Sequence, residues 1–302
     1  MKKIIALFTL LTLLLLPFAC GTTKSLSDYR LLMDRNVCKK MRGDVLFYAI
    51  FVDTKSTKTF SEDDVRNCVD TLSYAAKWLE AQAKIAYIPL KIKVSFMKNI
   101  RAIPKDLPYK TLKETMASID PEAGGNGITN INKWADDVCK LAGAKMDNKS
   151  NPGDTLPIIS NPKGTDRLIA KLRDEYKVES VCLFFILNSM AKEDGAIVMN
   201  IGSNTDIEYV ITSYNTASMY AFCAMEEFGA IDFFSMEQSS ANAKLAQTNF
   251  ASDVMVNPFK KLSALKVSPF TQYMIGWTNY VDKQYEPLFY PSKASSSNIN
   301  MR

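Results

Sequence analysis

A chain of 302 residues, 47% hydrophobic and 23% charged, excludes a disordered or fibrous protein and suits one large globular domain or two small ones. The net charge of +5 falls by two to +3 without Lys2 and Lys3, and it is too scattered to suggest a nucleic-acid partner. There is no histidine, which excludes histidine-ligated zinc catalysis and any serine or cysteine nucleophile paired with an imidazole base.

Lys2 and Lys3 precede a run over residues 4–18 that is apolar apart from Thr9 and Thr12 and stops at Ala19-Cys20. That length is short for a membrane span and suits the core of a signal peptide, residues 1–19. A cysteine directly after a small residue resembles a bacterial lipobox, although Pro17 and Phe18 stand where that motif prefers Leu and a small residue. The resemblance implies cleavage before Cys20, lipidation of Cys20 and anchoring to a membrane outside the cytoplasm, outer membrane or cell surface, with residues 20–43 as a tether. An ordinary secretory signal and an uncleaved anchor are the alternatives. Cys38, Cys68, Cys139, Cys182 and Cys223 then remain; no C-x-x-C pair exists to suggest a cysteine zinc site, and one disulfide among the five is open. The apolar settings of Cys68, Cys182 and Cys223 predict small buried hydrophobes.

Residues 45–52 (VLFYAIFV), bounded by Asp44 and Asp53, predict a buried strand. Ser61-x-x-Asp64 reads as a capping box opening a helix through Val65, Cys68, Val69, Leu72, Ala76 and Leu79. Leu90, Ile92, Val94 and Phe96 alternate with Lys91, Lys93 and Ser95, the pattern of a half-exposed strand. Strand, helix, strand is the opening of an α/β layer. Residues 98–165 are rich in turn signals and read as an insertion, with helices expected near residues 109–118 and 132–141, and a third over 166–176. Residues 180–187 (SVCLFFIL) predict a second buried strand, and 195–199 and 209–212 two more. A helix over 217–228 ends at Gly229, residues 252–255 form a turn, and Ser268-Pro269 opens a last helix through Trp277. Tyr273 and Trp277 read as core. Residues 281–302 are expected to be a flexible tail.

The segment Phe222-Cys223-Ala224-Met225-Glu226-Glu227-Phe228-Gly229-Ala230-Ile231-Asp232 fits the spacing H-E-x-x-H-x-x-G-x-x-H/D, with Gly229 on the glycine and Asp232 on the final ligand. Asp253-Val254-Met255 resembles the methionine turn that follows this motif, residues 268–277 the closing helix, and residues 45–96 the opening unit. Over residues 44–280 the chain therefore resembles zincin-like metallopeptidases of the metzincin type. The resemblance implies an α/β (α+β) fold: a mixed twisted sheet, a long helix packed on it, a degenerate active-site helix and a C-terminal helical part.

In this register Phe222 replaces the first histidine, Cys223 the catalytic glutamate and Glu226 the second histidine. A rival register sets Met225-Glu226 on His-Glu, which leaves Gly229 and Ser235 at ligand positions. Two carboxylates, Glu226 and Asp232, without a third ligand or a general base give no catalytic zinc site, and at most a weak calcium-like one. No catalytic residue, metal or cofactor is expected. Read without the resemblance, residues 222–228 are an amphipathic core helix whose Glu226-Glu227 face is solvated. The functional expectation is a non-enzymatic scaffold binding an extracytoplasmic protein or peptide. The alternatives are a hydrolase using Cys223, Glu226 or Asp232 in other chemistry, or a purely structural envelope lipoprotein.

Overall fold

The computed structural model describes residues 38, 40–97, 102–119, 126–144, 163–188, 194–200 and 208–289. The segment expected to be a signal peptide, Cys20 and most of the expected tether lie outside them.

Strand β1 (Gly43–Asp53) is central because it has no polar face to give to water. Val45, Phe47, Ala49 and Phe51 enter one apolar core, and Leu46, Tyr48, Ile50 and Val52 enter another on the opposite side. Such continuous runs mark strands covered on both faces. Helix α1 (Glu62–Ile85) follows, opened by the predicted capping box: Ser61 Oγ accepts from Asp64 N–H, and the Asp64 carboxylate accepts from Ser61 N–H. Its buried stripe of Cys68, Leu72, Ala75, Ala76, Leu79 and Ala83 lies on the first face. Strand β2 (Leu90–Phe96) pairs with β1 in parallel at the sheet edge and alternates in burial as its sequence does.

A two-residue strand β3 (Ile103–Pro104) pairs in parallel with the last two residues of β1, Val52 and Asp53. Helices α2 (Leu112–Ile119), α3 (Gly127–Leu141) and α4 (Gly164–Tyr176) then cover the second face. The segment read as an insertion, residues 98–165, thus supplies two of the three helices of a structural layer. A methyl group on Gly127 would meet the Ser118 carbonyl at 1.8 Å, so α3 can start where it does only without a side chain.

Strands β4 (Ser180–Leu187), β5 (Ala196–Met199) and β6 (Tyr209–Thr212) complete the sheet. Its order is β2-β1-β4-β6-β5, parallel throughout except for β5, which runs antiparallel to β6. Helix α5 (Ala217–Glu227) leaves β6 and packs beside α1 on the first face. Phe47, Phe184 and Tyr220 form an edge-to-face chain at 5.5 and 5.9 Å that ties β1, β4 and α5 together. Each such pair contributes about 0.5–1.5 kcal/mol beyond its buried area.

Helix α6 (Ala241–Phe250) was not legible in the sequence; Ser240 caps it by accepting from Ala243 N–H. Helix α7 (Pro269–Met274) starts at the predicted Ser268 cap but stops short of Trp277, because Gly276 at φ 80° closes it. Trp277 is core, as expected, and its indole N–H donates to the Met41 carbonyl at 2.6 Å. Part of the expected flexible tail is ordered: residues Lys283–Phe289 form a 3₁₀ segment, with Leu288 buried and Phe289 against Phe270 at 4.9 Å. Among the described residues no helix is long and apolar enough to cross a membrane. The fold is mixed α/β, a mixed sheet between two helical layers.

Candidate functional site

Helix α5 is buried from Ser218 through Glu227, because the sheet, α1 and the segments after Gly229 enclose it on every side. Phe222 and Cys223 have 0% exposure, Glu226 4%, Glu227 0% and Asp232 3%. The solvated Glu226-Glu227 face of the plain amphipathic reading is therefore absent. The sequence shows apolar neighbours but not that a helix will be packed all round.

The helix ends in a Schellman closure. Gly229 N–H donates to the Glu226 carbonyl and Ala230 N–H to the Met225 carbonyl, both at 2.9 Å, with Gly229 at φ 99°. The chain then turns over Met255, whose carbonyl accepts from Phe233 N–H at 3.2 Å and Phe234 N–H at 3.1 Å. The methionine-bearing turn is itself held by Asp253: one carboxylate oxygen accepts from Met255 N–H at 2.7 Å. The other accepts from Ser268 N–H at 2.7 Å and from the Thr271 hydroxyl at 2.8 Å. The helix, Asp232 and Met255 are thus joined through backbone contacts.

Burial governs the electrostatics here. Asp232 accepts from Ser235 N–H at 2.9 Å on Oδ1, while its buried Oδ2 has no hydrogen-bond partner. Burial pushes its carboxyl up to about 6, against the smaller opposing effect of the Ser235 and Phe234 donors. Burial, then the neighbouring Glu226, Asp232 and Glu227 carboxyls, push the Cys223 thiol well above its ordinary range. A sealed, protonated thiol is a poor nucleophile. Cys223, Glu226 and Asp232 are close enough to influence one another, but among the described residues they do not bring three ligand atoms within metal-binding reach of one another.

Such convergence occurs instead one residue along the helix. A ligand atom each from Cys38, Glu208 and Glu227 lie within 4.8 Å of one another, all buried. Cys38 N–H donates to Glu208 Oε2 at 2.8 Å, and the Cys182 thiol donates to Glu227 Oε2. Glu227 Oε1 accepts no hydrogen bond. Burial, above all, raises Glu227 well above the usual carboxyl range, with smaller lowering effects from the Cys182 thiol and the Leu183 amide. The Cys182 and Cys38 thiols are likewise raised, first by burial and next by Glu227. Sequence reasoning missed this group because its members come from the segment before β1, from β4, from the residue preceding β6 and from the end of α5, with no local spacing. The one available signal was an acidic pair inside an otherwise apolar helix. All five described cysteines are free, so the open disulfide is not formed among them.

Fold and site together define a mixed α/β protein with a buried acidic helix end. No family model, curated protein or solved structure matches the chain.

Proposed function

We propose that the chain is a cell-envelope lipoprotein, anchored through Cys20, whose zincin-like domain is catalytically silent and acts as a scaffold for extracytoplasmic protein or peptide contacts. One observation carries the reading: Phe222 and Cys223, where the motif requires its first ligand and its general base, are wholly enclosed in the core. Neither chemistry nor access is left at that point of the helix.

Several features support the zincin-like ancestry. The parts follow in the order the resemblance calls for: strand–helix–strand opening, mixed sheet, buried helix closed by a glycine, a turn carrying a methionine, and a closing helix. The packing also favours the register that puts Gly229 on the motif glycine. The rival register asks for a ligand side chain at Gly229, where φ of 99° disfavours any residue with a Cβ. Against a hydrolase of other chemistry stands the buried, protonated Cys223 thiol. The enclosure of the former site favours contacts on the outer surface over a substrate groove beside Phe222 and Asp232.

Two measurements on the purified, acylated chain test this. It should enter the detergent phase on Triton X-114 partitioning, and Cys20→Ala should not. It should cleave no member of a broad peptide library, with or without chelator; peptide cleavage that a chelator abolishes would refute the proposal.

A further inference from the structure

We propose that the end of the sheet at which the N-terminal segment enters is a membrane-contact face, fitted to an anionic lipid surface. The inference rests on the reading of the chain as membrane-anchored through Cys20. Strands β1, β2 and β4 run parallel and begin together at this end: Gly43 N–H donates to the Pro89 carbonyl at 2.7 Å, and Glu179 N–H to the Asp44 carbonyl at 2.8 Å. Helix α1 comes back to the same end and passes through Ile85 and Tyr87 into β2. The loop after α7 lies here too, since the Met41 carbonyl, two residues before β1 starts, accepts from the Trp277 indole.

Three observations select a lipid surface as the occupant. The most exposed large hydrophobic side chains among the described residues are Tyr87 at 94%, Tyr280 at 74% and Ile85 at 71%; two stand where α1 turns into β2, and the other follows Trp277 by three residues. Tyrosines beside an isoleucine suit the boundary between lipid headgroups and acyl chains. Tyr87 also holds a left-handed φ of 58°, a position that glycine fills more easily, although its ring faces solvent. Second, Lys40, Arg42, Lys84, Lys91, Lys93 and Lys177 are exposed at this end, against the exposed carboxylates of Asp44, Glu175 and Glu179. None of these cations is in an ion pair among the described residues, so their charge is open to lipid phosphates. Third, the segment that carries Cys20 enters here. Fully extended, the chain from Cys20 to Cys38 spans up to about 60 Å, so an acyl anchor alone leaves the domain free to turn. The face holds this end down and points the opposite end of the strands, with Tyr214 and Phe259, away from the bilayer.

The test is co-sedimentation of residues 20–302 carrying Cys20→Ala, which keeps every described residue and no acyl chain, with vesicles of equal parts phosphatidylglycerol and phosphatidylcholine. The chain should bind them, should bind pure phosphatidylcholine vesicles about tenfold more weakly or less, and should be released by salt. Lys84→Ala and Lys91→Ala should each weaken binding by about fivefold. Tyr87→Gly should weaken it by about tenfold while the melting temperature holds or rises, a pair of readouts that unfolding cannot produce. Phe259→Ser, beside Tyr214 at the opposite end of the sheet, should bind as the parent does. No binding to the anionic vesicles, or undiminished binding by both Tyr87→Gly and Lys84→Ala, would overturn the proposal. Loss of the anchor reading shows separately, as failure of the acylated chain to enter the detergent phase while this anchor-free binding persists.

Discussion

The backbone N–H of Ser268 donates to Asp253 Oδ2 at 2.7 Å, so the turn that carries Met255 and the first residue before α7 share one buried carboxylate. Thr271 and Met255 donate to the same side chain. Asp253 therefore clamps the turn that carries Met255 to α7, and the Met255 carbonyl in turn accepts from the Phe233 and Phe234 N–H groups.

Removing that clamp strands three buried donors. Asp253→Ala should lower stability by about 3–5 kcal/mol, since each orphaned donor costs about 1–3 kcal/mol. Urea denaturation followed by tryptophan fluorescence reads the loss, and a change under about 1 kcal/mol would show that the turn is held by something else.

Asp232 should give the protein a pH-dependent stability. Its carboxyl rises from the ordinary 3.8 to about 6 in the folded state. A folded-state value above the unfolded one means that the favoured protonated form is fully present below about pH 4 and is lost as pH rises through about 6. Stability should therefore fall by about 3 kcal/mol between those limits, the free-energy equivalent of the shift. In Asp232→Asn the amide nitrogen takes the place of the unpartnered Oδ2 while the Ser235 bond is kept, so this contribution should vanish and stability near pH 7.5 should match or exceed wild type. Thermal melts at pH 4.5 and 7.5 compare the two; identical pH slopes would rule Asp232 out as the cause.

Tyr87 holds the left-handed position that closes α1, at φ 58° with 94% exposure, where α3, α5 and α7 have Gly143, Gly229 and Gly276. Tyr87→Gly should stabilise the protein by about 1 kcal/mol, because the left-handed conformation penalises a Cβ by about 1–2 kcal/mol while glycine regains some unfolded-state entropy. A lower melting temperature in this variant would mean that the exposed ring makes contacts of its own.

The free thiols should be silent in the native state. Cys38, Cys139, Cys182 and Cys223 are all buried, and burial raises each thiol well above its ordinary range. Ellman's reagent at pH 8 should report none of them within minutes and all of them after unfolding. Rapid native labelling of Cys223 would reopen the reading of the site as a nucleophile's.

Local order was legible along the chain because it depends on neighbours in sequence. The unbroken apolar runs at residues 45–52 and 180–187 mark strands, Ser61 and Asp64 reciprocate across one helical turn, and Gly229 and Ser268 punctuate helices through their own backbone preferences. Helix α6 escaped notice because its buried residues, Ala243, Ala246 and Phe250, make too thin an apolar stripe to stand out.

What the chain by itself determined was where strands and helices form and, through the absence of histidine, which chemistry is impossible. Only the tertiary structure decided that Glu226 and Glu227 lie in the core, that Cys38, Glu208 and Glu227 converge, and that the Cys182 thiol donates to Glu227. Propensity and periodicity act over a few residues. The environment of a carboxyl or thiol is set by which strands become neighbours, and here β1, β4 and β6 are adjacent although long stretches of chain separate them.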